Sequence, residues 1–123
     1  MSFRYEDLVV GELVLDLIQK VYEITKDFPS DERFGLVSQI RRASVSVYLN
    51  IAEGTARNSG PDFARFINIS RGSLMETHAG LKIAVRMGFL EPDRFYELQP
   101  RIQKIWVMLC SLRDSQHKSK SFK

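Results

Sequence analysis

Apolar residues Val10, Val14, Leu17, Val21, Ile24 and Phe28 recur at alternating steps of four and three, the spacing of one face of an α-helix. Leu15, Ile18 and Tyr22 run beside them, so the pattern predicts a first helix buried on a wide face. Pro29 stops it. Ser30 can then cap a second helix, with Asp31 and Glu32 placing negative charge in its first turn where the helix dipole favours it. Its apolar positions are Leu36, Ile40, Val47 and Ile51, and Gly54 reads as a left-handed residue just past its end. After a polar loop at 55–58, Ser59 can cap a third helix that tolerates the early Pro61, because first-turn amides have no acceptor inside the helix. Phe63, Ile67, Ser70, Leu74, Thr77, Leu81 and Ala84 mark its seam, and Gly88 ends it. Phe95, Leu98, Ile102, Ile105, Leu109 and Leu112 form the cleanest stripe of the chain and predict a fourth helix ending near Gln116, kinked or restarted at Pro100.

No segment alternates with the period of two that a half-buried strand requires. Four amphipathic helices joined by short loops bury their stripes together as an all-α, antiparallel up-down-up-down four-helix bundle. At 123 residues there is room for one domain of ordinary size. The reading is a single bundle over residues 1–116 followed by a basic, disordered tail at 117–123. The longest apolar run, Ile105 to Cys110, is far shorter than the ~20 residues of a membrane-spanning helix. The first residues lack the apolar segment of a signal peptide, so the expected location is the cytoplasm, away from any membrane. The single Cys110 excludes an internal disulfide framework and reads as a core or interface thiol.

Helix two contains an anomaly. Gln39, Ala43, Ser46, Asn50 and Glu53 are spaced as a core seam but are mostly polar. In an antiparallel pair turning near residues 56–58, they meet Ser70, Ser73, Glu76 and Thr77 of helix three. That arithmetic sets Glu76 opposite Gln39 and one turn from Arg42, and Glu53 near Asp62, with helix-three amides or Arg65 as its donor. A buried carboxylate without a partner is costly, so the expectation is a structural polar network of Gln39, Arg42, Ser46, Asn50, Glu53, Ser73 and Glu76, led by an Arg42–Glu76 pair. It fixes helix register and the subunit interface, the stripe facing helix three or a neighbouring subunit, rather than performing acid–base chemistry, which needs a cleft and a substrate.

These residues also carry a resemblance. The run Gln39, Ile40, Arg41, Arg42, Ala43, Ser44, Val45, Ser46, then Asn50, Ile51, Ala52, Glu53, Gly54, and later Gly72, Ser73, Leu74, Glu76, resembles the bacterial four-helix bundle family that includes proteins encoded in 23S ribosomal RNA intervening sequences. The likeness extends to Phe28 and Pro29, to Phe34, Gly35 and Leu36, and to Gly88, Phe89 and Leu90. It implies an up-down bundle assembled as a barrel-shaped homopentamer. The family is similar to the basic, nucleic-acid-binding accessory variability protein of diversity-generating retroelements, and it brings no catalytic residues. Arg71 and Thr77 depart from the small or apolar residues expected beside Gly72 and Ser73.

Charge sharpens this picture. Eighteen Lys and Arg against fifteen Asp and Glu give +3, but residues 1–27 carry six acids and three bases, leaving the remainder with an excess of six bases. Basic stretches attract polyphosphate backbones by releasing condensed counterions. Arg41, Arg57, Arg65, Arg71, Lys82 and Arg86 are the candidate nucleic-acid-binding residues, joined by the tail lysines. Phe63 and Phe66, the aromatics nearest to them in sequence, belong to the seam, so binding through phosphates rather than base stacking is expected. Trp106 and Met108 flank the seam of helix four and read as packing residues. The loop from Gly54 to Asn58 precedes a helix amino terminus, a possible anion seat weakened by Asp62.

Metal ligation is disfavoured because the Glu-x-x-His units of di-iron bundles are absent. Glu76 and His78, two apart, face different directions. Phosphate-loop, zincin and zinc-ribbon motifs are also absent, so no cofactor and no small-molecule substrate are expected. Two function classes remain: an RNA- or DNA-binding homo-oligomer without catalysis, and a structural or protein-interaction oligomer whose bases only solubilise it. Val45, Leu49 and Ala52, on a flank of helix two away from its core stripe, favour self-association.

Overall fold

A computed structural model describes residues 1–118 and contains four α-helices: α1 (Val9–Thr25), α2 (Leu36–Thr55), α3 (Gly60–Arg86) and α4 (Pro92–Lys118). Short 3₁₀ turns at Arg4–Asp7 and Ser30–Glu32 precede α1 and α2. Contacts between neighbouring helices run in opposite order along the two partners. Gly11 approaches Tyr48 while Arg41 reaches back to Thr25. Ser46 meets Ser73 while Ile40 meets Gly80. Arg71 covers Trp106 while His78 meets Gln99. Each pair is therefore antiparallel, which gives the up-down-up-down order. The basic tail predicted at 117–123 lies outside the described residues, apart from the last turn of α4, which extends to Lys118 instead of ending near Gln116.

The predicted seams are the core. Val14, Leu17, Val21, Val47, Phe63, Ile67, Leu74, Leu81, Ile105 and Leu109 are almost fully buried, and Phe28, past the end of α1, closes one end against Phe89. The α1 face is narrower than expected, because Leu15 and Tyr22 remain exposed. Ser70 and Thr77 occupy core positions at no polar cost. The Ser70 hydroxyl donates to the Val47 carbonyl at 2.7 Å, and the Thr77 hydroxyl donates to the Ser73 carbonyl of its own helix.

Helix ends depart from expectation in two places. Ser30 opens only the 3₁₀ turn, and α2 begins at Leu36, whose amide donates to the Glu32 carboxylate at 3.2 Å. Gly54 is not a left-handed cap but lies inside α2, where a Cβ would come within 2.8 Å of the Phe63 ring. The left-handed role belongs to Gly88 (φ 80°). There the Phe89 and Gly88 amides donate to the Ala84 and Val85 carbonyls, which satisfies the free carbonyls at the end of α3. Ser59 caps α3 as predicted, its hydroxyl accepting from the Asp62 amide. α4 passes through Pro100 as one helix without restarting.

Candidate nucleic-acid interface

The six candidate basic residues occupy three separate places. Arg41 lies on the α1/α2 face, where its Nε donates to the Thr25 hydroxyl at 2.8 Å and its guanidinium covers the Tyr22 ring. Arg57 and Arg65 sit at the α2–α3 turn, each guanidinium 4.4 Å from the centre of the Phe66 ring. Both are neutralised locally: Arg57 pairs with Glu53 at 2.6 Å and Arg65 with Asp62 at 3.0 Å. Glu53 thus takes its donor from Arg57, just beyond the end of α2, and neither from Arg65 nor from helix-three amides, and the loop weighed as an anion seat is already supplied with carboxylates.

Arg71, Lys82 and Arg86 form the third group. At 100° per residue they fall within about 60° of one another on α3; Arg71 and Lys82 lie against rings of α4, and Arg86 shares a surface hollow with Lys82 and Ile83. None of the three forms an ion pair among the described residues. Arg71 accepts help only from Asn68 Oδ1, to which it donates at 2.9 Å, and its buried Nε has no acceptor. Its guanidinium lies 4.3 Å from the centre of the Trp106 ring, and the Lys82 ammonium lies 5.5 Å from that of Phe95.

Between Arg71 and Lys82 a groove of about 550 Å³ runs along the α3/α4 junction, lined by Met75, His78, Gln99, Ile102, Gln103, Trp106 and Val107. His78 Nε2 and Gln99 Oε1 are hydrogen-bonded at 2.8 Å, so this histidine is satisfied by a neighbour. The sequence reading missed the groove because it treated Trp106 as packing. The signal was present in Gln99, Gln103 and Trp106, which step by four and three and form a second stripe on α4 beside its apolar seam.

The predicted polar network is only partly assembled. Ser46 and Ser73 share a hydrogen bond at 2.9 Å, and the Asn50 amide donates to the Ser46 hydroxyl and carbonyl. Gln39, Arg42, Glu53 and Glu76 are exposed instead of buried. Arg42 and Glu76 share a cleft of about 500 Å³ with Gln39 and Phe34 on the α2/α3 face, yet they form no ion pair. The helices meet about one turn beyond the register that a turn at 56–58 implies, with Ser46 at Ser73 and Ile40 at Gly80. Replacing Glu76 by alanine therefore changes the denaturation midpoint little, by less than ~1 kcal/mol in stability; a loss of several kcal/mol would restore the buried pair.

On the far side, Tyr48 packs edge-on against Tyr5. Burial, and then the nearby Tyr5, Glu12 and Glu6, push its phenol above its ordinary value, so it stays neutral. Among the described residues no helix is long and apolar enough to cross a membrane.

With this geometry in place, the comparisons with known proteins are decisive for the family. The profile of the 23S rRNA-intervening sequence proteins matches residues 6–111. The chain belongs to that family. Its bundle is also similar to a crystal structure from the S23 ribosomal protein family of Bacteroides thetaiotaomicron VPI-5482, described as a protein of unknown function. That similarity has a TM-score of 0.75 at 22% identity and covers 85% of this chain and 98% of the other. At that identity the likeness to the S23 protein speaks for the fold alone. No curated protein matches this member of the intervening-sequence family.

Proposed function

We propose that this protein is a non-enzymatic homo-oligomer that binds RNA through its phosphates, using the α3 side of the α3/α4 face. The observation that carries this reading is the group Arg71, Lys82 and Arg86, three cations on one side of α3 with no carboxylate partner among the described residues. Cations held without counter-charges attract a polyanion, and contacts of this kind are largely indifferent to sequence. The family's association with ribosomal RNA intervening sequences supports RNA as the polyanion. Assembly multiplies a surface whose charge is modest on one subunit, and five subunits is the number implied by the family resemblance.

Reversing all three charges (Arg71→Glu, Lys82→Glu, Arg86→Glu) tests the surface. Affinity for a single-stranded RNA near 50 mM salt is expected to fall by more than about tenfold, with the salt dependence shallower by roughly two in the log–log slope. Arg41→Glu, on the opposite face, serves as the comparison and leaves affinity nearly unchanged. Equal losses in both variants would show that net charge, and not this face, governs binding.

The rival reading, a structural oligomer without RNA, draws on the α2/α3 face, where Leu49, Ile69, Ile83 and Met87 are exposed. The two readings draw on adjoining surfaces, since Ile83 shares a surface hollow with Lys82 and Arg86, whereas the groove between α3 and α4 is lined by other residues.

A further inference from the structure

The α3/α4 groove has a composition that phosphate binding alone does not need. Its lining combines apolar side chains (Met75, Ile102, Val107), an indole (Trp106) and two carboxamides (Gln99, Gln103), with no acidic residue. Val107 is 61% exposed and Met75 41%, so the groove offers apolar surface to solvent between two cations. Arg71 stands at one end with an unsatisfied, buried Nε, and Lys82 lies toward the other. His78 holds the Gln99 carboxamide in place from α3.

We infer that this groove receives an unpaired nucleobase of single-stranded RNA, with the flanking phosphates on Arg71 and Lys82. The inference rests on the phosphate-binding reading above and adds the form of RNA recognised. A base presents a flat apolar surface and a hydrogen-bonding edge. Trp106, Met75 and Val107 match the first, and the second is met by Gln103, with an amide donor and a carbonyl acceptor, and by the amide of Gln99, whose Oε1 is engaged by His78. The charge matches too, because a nucleotide is negative and the groove carries cations at its ends and no carboxylate in its lining. Duplex RNA keeps its bases stacked inside the helix and can meet only the cations.

Trp106 is the only tryptophan of the chain, so its fluorescence reports the groove directly. An oligouridylate of about 16 nucleotides, added near 50 mM salt, is expected to quench it saturably. Duplex RNA of the same length and inorganic polyphosphate are expected to bind without that change. Trp106→Leu is expected to weaken the single strand by roughly 5- to 100-fold while leaving duplex affinity as it was. Because Trp106 also packs against the core, the exposed Gln103→Glu provides a second variant, expected to weaken the single strand more than the duplex even if the Trp106 variant does not fold.

Binding of the single strand with unchanged fluorescence, or equal quenching by polyphosphate, would overturn the base site and leave phosphate binding standing. Failure of every RNA to bind would overturn both. A drop in oligomer mass caused by Gln103→Glu would show instead that a second copy of the chain covers the groove, which also overturns the base site.

Discussion

Replacing Gly80 by valine is expected to destabilise the bundle by more than ~3 kcal/mol, the upper range for overpacking a filled core. An added Cβ at Gly80 would lie 2.6 Å from Ile40 Cγ1, and Ile40 is almost fully buried, with no room to retreat. The atom in the way belongs to the stiff β-branched stem of Ile40 and is not the far end of a flexible chain, so α2 and α3 must separate. Separation would weaken every contact along the pair, including the Ser46–Ser73 hydrogen bond and the approach of Gly54 to Phe63. Alanine at the same site is expected to cost less, since its better helix propensity returns up to ~1 kcal/mol. Gly72 is the matched control on the same helix. Nothing lies within 4 Å of its added Cβ, so Gly72→Ala is expected to stabilise by about 0.5–1 kcal/mol. Denaturant midpoints for the two alanine variants should move in opposite directions, and movement in the same direction would refute the close-packing account.

Placing aspartate at both Leu49 and Ile83 is expected to convert the proposed oligomer into a monomer of 14.2 kDa. Leu49 is 59% exposed and Ile83 52%, so neither substitution disturbs the core of one subunit. Leu49 stands on α2 and Ile83 on α3, the two helices that also share the cleft of Arg42 and Glu76, bordered by the exposed Phe34. Apolar surface of this kind on a small domain marks an interaction site, and two buried charges without partners would be costly at such an interface. Light scattering on the parent and the double variant decides this. A parent already at the monomer mass, or a double variant that stays assembled, would exclude this face as the interface.

Much of this fold was readable from residue spacing, because each helix buries one stripe and the stripes are long. Whether a polar stripe is covered was not readable. The four-three spacing of Gln39, Ser46, Asn50 and Glu53 establishes a shared face, but the same spacing serves a surface and a seam. The α2–α3 contact itself runs through smaller residues, Ala43, Gly54, Ser70 and Gly80, which let the backbones approach and leave the longer polar side chains at the rim. Gly54 shows the ambiguity at one position, since a glycine near a helix end serves either a left-handed turn or a close approach. The candidate bases were identified individually, but their grouping depends on which neighbour each one meets. Arg57 and Arg65 are consumed by local carboxylates, whereas Arg71 and Lys82 lie over aromatic rings with no carboxylate partner.

The central claim, that the α3/α4 face binds RNA through phosphates, is tested most directly by the salt dependence of RNA affinity in the unmodified protein. With a strand of about 20 nucleotides, log affinity is expected to fall linearly with log salt, at a slope of about −0.7 for each phosphate engaged. Detectable binding near 50 mM salt that fades toward physiological salt is the predicted result. No binding at about 50 mM, or binding indifferent to salt, would contradict it.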